Sequence, residues 1–279
     1  MTTNDFWQNR EGFWNRGGFW KAILVAGVYL ALFLGASWIL GTAFRGSLDR
    51  SSPFASVADV LVLLLAPEVI GSVIILVFLA SIGWLGPLFR RQPVEGRGWM
   101  WIAVAIVALP VVLRLIGLDY GAYAAGVVPL TLFAGLFIGL TEELVTRGAA
   151  LGLLRKGGYS ERIAAVVAAA IFALMHSVDS IGSGLSWGTL ILVTYAFFFG
   201  ICMYLVMRVT GNILWAILLH ALTDPTLFLA NGDIDASSST AHQDVFLSIA
   251  SFGNVVVIGF GVVALFLIRG RVLEAPALR

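Results

Sequence analysis

Charged residues are scarce in this chain. Asp, Glu, Lys and Arg make up 12% of its 279 residues, 59% are hydrophobic, and the mean hydropathy is +0.96. Soluble domains carry about 25% charged residues, so this composition excludes an ordinary soluble domain and indicates a bundle of membrane-spanning helices. The net charge of +1 provides no excess of bases to neutralise a phosphate backbone, which excludes nucleic acid as a partner.

Cysteine is almost absent as well. Cys202 is the one cysteine, and it lies in an apolar run. A single thiol excludes a disulfide framework and a CxxC metal pair, and no histidine stands near it in the sequence to activate it as a nucleophile. We predict that Cys202 is a small packing residue inside a helix.

Long apolar runs dominate the rest of the chain. At about 20 apolar residues per span, they predict an all-α, polytopic protein with eight transmembrane helices, at approximately 19–40, 64–89, 99–117, 125–154, 161–178, 187–208, 212–229 and 244–268. The connections are short, so we expect residues 1–279 to form a single membrane domain. Pro67-Glu68 interrupts the second run, which leaves residues 57–66 open as an interfacial or re-entrant piece.

The basic residues predict the orientation, because Lys and Arg collect in cytoplasmic loops. Most of them fall on one side of the predicted topology: Arg10, Arg16, Lys21, Arg90, Arg91, Arg97, Arg155, Lys156, Arg162, Arg208, Arg269, Arg271 and Arg279. The loops on the other side carry Arg45 and Arg50. We therefore predict cytoplasmic N- and C-termini in a cell (plasma) membrane, and an active site that opens towards the cytoplasm. Three Phe-Trp pairs, at 6–7, 13–14 and 19–20, predict one face of an amphipathic helix at headgroup level.

Ionisable residues inside the predicted spans are few. Each costs on the order of 3 kcal/mol to insert, so such residues are functional or tightly paired by default. In the fourth helix Glu143 and Arg147 are four apart and predict an ion pair, while Glu142 points about 100° away from that pair. One carboxylate is therefore left without a partner on its own helix.

Two later helices carry the other polar groups. The fifth has Phe172 and His176 four apart, and the seventh has His220 and Asp224 four apart, followed by Pro225. At about 1.5 Å per residue from the cytoplasmic helix ends, Glu142, His176 and His220 lie roughly 18, 21 and 12 Å deep. Three helices thus bring polar groups to one middle layer, whereas the third histidine, His242, is predicted to be solvated in an outer loop.

A carboxylate with two imidazoles in a dry cavity is suited to activate a water and to stabilise an oxyanion. The same groups also suit a proton or ion relay in a transporter, or polar contacts between helices in a non-catalytic immunity or scaffold protein. Residue spacing alone leaves these alternatives open.

At these positions the sequence resembles the CPBP family, which includes the CAAX prenyl proteases of the Ras-converting type and the bacterial Abi proteins of bacteriocin processing and immunity. The family's patterns EExxxR, FxxxH and HxxxN or HxxxD match Glu142-Glu143-Leu-Val-Thr-Arg147, Phe172-Ala-Leu-Met-His176 and His220-Ala-Leu-Thr-Asp224. The resemblance covers about residues 125–229, which we take as the catalytic core helices.

The resemblance implies an intramembrane endopeptidase whose substrate is a membrane-associated peptide or protein in the lipid bilayer, prenylated at a CAAX end or bacteriocin-like. It implies Glu142 as the general base, assisted by His176, with Glu143 and Arg147 as the supporting pair. His220 and Asp224 would hold the oxyanion, and because a carboxylate cannot donate, we predict that Asp224 orients His220. Phe172 is predicted to contact the substrate.

Zinc is the one cofactor that these residue types suggest. Glu142, His176 and His220 would form a two-histidine, one-carboxylate set with Glu143 as the base. No HExxH motif is present, so we predict that the site works without a metal and without another cofactor. The sequence gives no basis for predicting the oligomeric state.

Overall fold

A computed structural model describes residues 3–49, 52–178, 184, 186–232 and 244–272. Within these residues helices are the regular secondary structure and no strand occurs, apart from one isolated bridge between Ser160 and Arg271. The all-α prediction is therefore confirmed. His242 lies outside the described residues.

Eight long helices follow one another along the chain: α1 Phe19–Ala43, α2 Val57–Ser81, α3 Gly98–Gly117, α4 Val127–Lys156, α5 Glu161–Met175, α6 Trp187–Thr210, α7 Ile213–Asn231 and α8 Val245–Leu267. All but α5 are long and apolar enough to cross a membrane. The chain is a multi-pass membrane protein. Helix α5 has 15 residues and ends at Met175, three residues before its predicted end.

Helix α2 differs from its prediction at both ends. It begins at Val57, where the Ser56 side chain accepts a hydrogen bond from the Asp59 backbone, and it ends at Ser81, shortly before Gly83 with φ 73°. Residues 57–66 belong to this continuous helix and form no separate re-entrant piece. A π-helical stretch, Val60–Leu65, comes just before Pro67, whose missing N–H favours a local change in helical hydrogen bonding.

Both described ends of the chain lie at the same end of the bundle, here called the basic end. There Lys156 Nζ donates to the Phe6 carbonyl at 2.5 Å, the Glu161 N–H donates to the Gly270 carbonyl at 2.9 Å, and Arg208 Nη2 donates to the Glu95 carbonyl at 2.6 Å. The opposite end, here called the far end, holds the connections after α1 and α3. Shared placement of the termini agrees with an even number of crossings.

A buried ionic cluster closes the basic end. Arg155 forms two hydrogen bonds to Glu161, at 2.9 and 2.8 Å, and both side chains are almost fully buried. Tyr204 donates to Glu161 at 2.7 Å and accepts from Arg208 at 3.0 Å. The cluster joins α4, α5 and α6 and satisfies charges that would otherwise be costly to bury.

The prediction of one amphipathic helix for the three Phe-Trp pairs is wrong. Phe6 and Trp7 are buried, and the Lys156 ammonium lies 4.3 Å from the Phe6 ring centroid. Gly12, Gly17 and Gly18 have positive φ and break the segment, because this region of backbone conformation is unavailable to a continuous α-helix. Phe13 and Trp20 are exposed and remain suited to a membrane surface.

Close packing of α4 against α7 positions the polar layer. Gly135 and Gly139 face the α7 backbone, and a Cβ at Gly139 would lie 2.5 Å from the Ile217 carbonyl and 2.7 Å from the Ala221 nitrogen. Glycine at these positions allows the two backbones to approach, as in small-residue interfaces of other membrane helices. His220 of α7 thereby comes next to the glutamates of α4.

We expect Gly139→Ala to destabilise the fold, although alanine favours a helix over glycine by about 1 kcal/mol. The added methyl group has no space against the α7 backbone and would move His220 away from α4. Thermal unfolding in detergent should show a fall in Tm of several degrees. Gly27→Ala in α1 is the matched control, because its Cβ would meet nothing within 4 Å, and an equal fall in both variants would contradict the packing argument.

Candidate active site

Glu143 and Arg147 form the predicted ion pair. Glu143 Oε1 lies 3.0 Å from Arg147 Nη1, and their side chains are 0% and 1% exposed. The pair stands where α4 changes from α-helical to π-helical geometry, over Leu144–Ala150, a rare conformation that is frequent at functional sites. Arg147 also donates to the Gly200 carbonyl of α6 at 3.0 Å, so the pair joins neighbouring helices.

His220 is surrounded by three carboxyl groups. Its Nδ1 lies 2.8 Å from Glu143 Oε1, and its Nε2 lies 3.1 Å from Asp224 Oδ2 and 3.2 Å from Glu142 Oε2. Because carboxylates only accept hydrogen bonds, the ring can donate on both sides only as an imidazolium. The spacing predicted the contact with Asp224, whereas the contact with Glu143 across two helices was not predicted.

Glu142 differs from Glu143 in its surroundings. Its side chain is 18% exposed, and its Oε2 meets no partner with hydrogen-bonding geometry in the described part of the chain, although His220 Nε2 lies 3.2 Å away. The predicted separation of a paired and an unpaired glutamate is thus present. Glu142 therefore exposes a carboxyl oxygen at the edge of a cavity, whereas Glu143 is buried and exposes none.

Aromatic rings hold both histidines in place. The Phe172 ring centroid lies 4.6 Å from His176 and 5.7 Å from His220, and Phe199 packs edge-on against His220 at 5.0 Å. The Arg147 guanidinium lies 4.8 Å from the Phe172 centroid. Phe172 is 2% exposed and is absent from the cavity lining, so its contacts support the histidine rings, and its contact with substrate stays a prediction.

His176 follows the last residue of α5. Its Nδ1 lies 2.9 Å from the Phe172 carbonyl, which fixes the ring relative to the helix. The residue lines the same cavity as Glu142 and interacts with it electrostatically. Sequence and structure therefore agree in bringing α4, α5 and α7 to one polar layer.

The cavity beside this layer has a volume of about 290 Å³. Its polar lining comprises Tyr29, Ser37, Glu68, Glu142, His176 and Asp224, and its apolar lining comprises Leu30, Phe33, Leu34, Leu63, Leu64, Pro67, Ile138, Met175, Val178 and Phe228. Five helices contribute: α1, α2, α4, α5 with the residues after it, and α7. The cavity thus places carboxyl and imidazole groups beside an apolar wall to which α1 contributes Leu30, Phe33 and Leu34.

The cavity lies deep in the bundle. Counted along each helix from the basic end, its lining lies about 15 to 27 Å deep. The apolar lining, such as Leu64, Ile138 and Phe228, continues from the polar layer away from the termini. The cytoplasmic termini and the opening of the active site towards the cytoplasm stay predictions.

Two buried ionisable residues close to the polar layer, Glu68 and Arg114, were missed by the sequence reasoning. Glu68 of α2 is 8% exposed, lines the cavity, and has an Oε2 without a hydrogen-bond partner among the described residues. Arg114 of α3 is 3% exposed, lies 3.4 Å from Asn254 Oδ1, and interacts electrostatically with Asp224. Both interrupt apolar runs. The rule that ionisable residues inside membrane spans are functional or tightly paired therefore identifies them as well as the glutamates of α4.

Three of these residues could hold a metal ion. Glu142, His220 and Asp224 each offer one ligand atom, and these atoms lie within 4.8 Å of one another. Among the described residues this trio differs from the alternative set that the sequence raised, Glu142, His176 and His220, in having Asp224 in the place of His176. The second ring nitrogen of His220 faces Glu143, as expected of a metal-bound histidine.

These features define a helical membrane protein with a buried carboxylate and histidine site. Residues 124–226 match the protein family described as Type II CAAX prenyl endopeptidase Rce1-like. The match confirms the predicted resemblance to the CAAX prenyl proteases over α4, α5, α6 and most of α7, and leaves α1 to α3 and α8 outside it. No curated protein and no solved structure matched the chain significantly.

We expect Glu68→Leu to stabilise the fold and to lower activity. A buried polar atom without a partner costs about 1–3 kcal/mol, so an apolar side chain of similar size should raise the Tm in detergent by a few degrees. Activity should fall because the cavity loses a carboxyl group. Glu68→Gln keeps a polar group and should change the Tm less. A lower Tm for Glu68→Leu would contradict this interpretation.

Proposed function

We propose that the protein is an intramembrane endopeptidase that hydrolyses a peptide bond of a membrane-associated substrate by means of glutamate-activated water. The observation that carries the proposal is the arrangement of Glu142 at the cavity, next to a fully buried His220 held by Glu143 and Asp224. The family match supports a protease of the CAAX type. The substrate we propose is a prenylated CAAX-type or bacteriocin-like peptide in the bilayer.

Glu142 acts as the general base in this proposal. Its partly exposed carboxylate accepts a proton from a water while the water oxygen bonds to the substrate carbonyl carbon. His176 lines the same cavity and assists by holding the water. When the C–N bond breaks, Glu142 returns the proton to the leaving nitrogen, so that one water is consumed and the base is restored.

His220 stabilises the negative charge that develops on the carbonyl oxygen. Its Nε2–H faces Glu142 and Asp224, and in this proposal the substrate carbonyl oxygen takes the place of one of these two acceptors. A donor held in a site of low dielectric is worth more than the same donor in water. Asp224, 3.1 Å from Nε2, orients the ring. Arg114 of α3 interacts electrostatically with Asp224.

Glu143 and Arg147 support the reacting groups and need no contact with the substrate. Glu143 Oε1 contacts both Arg147 Nη1 and His220 Nδ1, so one oxygen fixes the arginine of its own helix and the histidine of α7. A buried carboxylate with both partners is neutralised, which weakens its electrostatic repulsion of the neighbouring Glu142 carboxylate.

The donor set of Glu142, His220 and Asp224 also fits a divalent ion such as Zn²⁺. An ion bound there would supply Lewis-acid activation of a water or of the carbonyl oxygen. We propose the metal-independent reaction, because Arg147 and the imidazolium of His220 already balance two of the three carboxylates of α4 and α7.

We expect Glu142→Gln to abolish cleavage while the fold is retained. Glutamine keeps the size and hydrogen bonding of the side chain but cannot accept the proton, and loss of a general base typically lowers the rate about 10²- to 10⁴-fold. The measurement is cleavage of lipidated and unlipidated membrane peptides by purified protein in nanodiscs, with Tm followed in parallel.

Glu95→Gln is the matched control for this experiment. Glu95 lies at the basic end with a side chain that is 83% exposed, so its variant should cleave like the wild type. Equal cleavage by the Glu142→Gln and wild-type proteins would contradict a glutamate base. No cleavage by any folded variant or by the wild type would favour transport or partner binding.

We expect the purified protein to keep its activity after dialysis against a chelator and to contain zinc well below one ion per chain. The measurement is elemental analysis together with the cleavage assay. A metal site would instead show about one ion per chain in the wild type, and less in His220→Gln and Asp224→Asn at equal Tm. That result would contradict the metal-independent reaction and assign the ion to the trio.

A further inference from the structure

We propose that the protein binds the phosphate group of an anionic phospholipid in a pocket at the basic end of the bundle. The pocket lies between the segment before α3 and the turn that joins α6 to α7. It shares no lining residue with the cavity beside Glu142, and the proposal goes beyond the protease activity proposed for that cavity.

Two short stretches of chain, residues 91–96 and 208–212, form the pocket, which has a volume of about 540 Å³. The stretches are fixed against each other, because the Gln92 N–H donates to the Gly211 carbonyl at 2.8 Å. A Cβ at Gly96 would lie 2.4 Å from the α6 backbone, so the two stretches also pack closely. The pocket is therefore a built part of the bundle.

Arg208 brings a buried positive charge to this pocket. Its side chain is 3% exposed, and it donates from Nη1 to Tyr204 Oη and the Arg269 carbonyl, each at 3.0 Å, and from Nη2 to the Glu95 carbonyl at 2.6 Å. Its Nε is buried and has no hydrogen-bond partner among the described residues. Nε shares one edge of the planar guanidinium with Nη2, so its N–H points to the side of Glu95, a lining residue. A phosphate oxygen in the pocket would satisfy this costly unpaired donor.

Helix α7 begins at the edge of the pocket. Asn212, a lining residue, is its N-cap, and Asn212 Oδ1 accepts from the Leu214 N–H at 2.8 Å. The other N–H groups of the first turn have no acceptor within the helix and carry the positive end of its dipole. A helix N-terminus of this kind favours a phosphate group, and here it adds to the buried charge of Arg208.

Arg91 supplies a second guanidinium from the surface. Its side chain is 79% exposed and forms an ion pair at 3.3 Å with Glu95, whose side chain is 83% exposed. An exposed pair of this kind contributes little stability, so a phosphate can replace the carboxylate beside Arg91. The pocket is lined by two arginines and one glutamate, which leaves an excess of positive charge.

The surroundings of the pocket favour a lipid as the source of the phosphate. The pocket stands between the end of α6 and the start of α7, which are both long and apolar enough to cross a membrane. Leu214, Leu218 and Leu222 are between 39 and 44% exposed, and their four-residue spacing forms one apolar strip on α7. The strip starts two residues after Asn212. An acyl chain attached to a phosphate in the pocket can lie along this strip, whereas a free phosphate would leave it uncovered.

The charge of the pocket selects among lipid headgroups. Basic pockets between membrane helices bind anionic headgroups. Phosphatidylglycerol carries a negative phosphate and no positive group, whereas the choline of phosphatidylcholine adds a positive charge that Arg91 and Arg208 repel. The occupant that the pocket fits is therefore an anionic phospholipid such as phosphatidylglycerol.

Lipid binding by the purified full-length protein in detergent tests the proposal. Native mass spectrometry gives the apparent Kd of phosphatidylglycerol and of phosphatidylcholine, and thermal unfolding gives the Tm with either lipid or with inorganic phosphate. Arg208 also supports the fold through its contacts with Tyr204 and Glu95, so the variants are Arg91→Gln and Arg91→Glu at the exposed position. Arg16→Gln and Arg16→Glu are the matched controls, because Arg16 is exposed and does not line the pocket.

We expect the wild-type protein to bind phosphatidylglycerol more tightly than phosphatidylcholine and to unfold at a higher Tm in its presence. Phosphatidylglycerol binding should weaken about fivefold in Arg91→Gln, which loses one positive charge, and about 25-fold in Arg91→Glu, which reverses it. Both Arg16 variants should bind the lipid like the wild type.

Three results would overturn the proposal. Equal affinity of the wild type for both lipids would exclude selection of an anionic headgroup. An Arg91→Glu protein that binds like the wild type, or an Arg16→Glu protein that loses as much affinity as Arg91→Glu, would exclude this pocket as the site. A rise in Tm with inorganic phosphate alone that equals the rise with phosphatidylglycerol would exclude the phospholipid as its occupant. None of these measurements involves cleavage, so failure of the proposed protease activity would leave them unaffected.

Discussion

The site depends on one oxygen atom, Glu143 Oε1, which contacts Arg147 on its own helix and His220 on α7. In hydrocarbon an unpaired charge is expensive, so each of the three groups is tolerated because of the other two. Breaking a buried pair by removing one partner leaves an uncompensated charge, which typically costs 3–5 kcal/mol. The same contacts therefore hold α4 to α7 and fix the imidazole beside Glu142.

Backbone geometry makes these contacts possible. Gly135 and Gly139 let α7 approach α4 until a Cβ would clash, and the two π-helical stretches lie directly beside the polar residues, at Val60–Leu65 before Glu68 and at Leu144–Ala150 after Glu143. A π-helical turn is less favourable than an α-helical one and persists where its surroundings fix it. Here the surroundings are the tightly packed neighbours of the cavity.

Much of the fold followed from the sequence because helices in lipid must satisfy their own hydrogen bonds and need about 20 apolar residues. The Glu143–Arg147 and His220–Asp224 contacts followed from the four-residue spacing on a helix. The contact of Glu143 with His220 did not, since it depends on how α4 and α7 are rotated against each other.

The incorrect predictions concern residue types that occur in two different structural environments. Pro67 predicts a break in the helix, whereas the π-helical stretch Val60–Leu65 accommodates it, and Glu68 beside it is a buried carboxyl group. The aromatic pairs near the amino terminus suit both a membrane surface and a protein interior, and Phe6 and Trp7 are in the interior. The lining of the cavity could not be read from residue spacing, because it depends on which helices leave space between them.

The length of α5 has a consequence for the surrounding lipid. Its 15 residues rise about 22 Å, less than the roughly 30 Å of a hydrocarbon core. Hydrophobic mismatch of this kind is met by local thinning of the bilayer, at a cost of a fraction of a kcal/mol per Å. Helix α5 ends beside His176, so thinning there brings the headgroup region closer to the reacting groups. The acyl-chain length of the host membrane is thereby coupled to the hydration of the cavity.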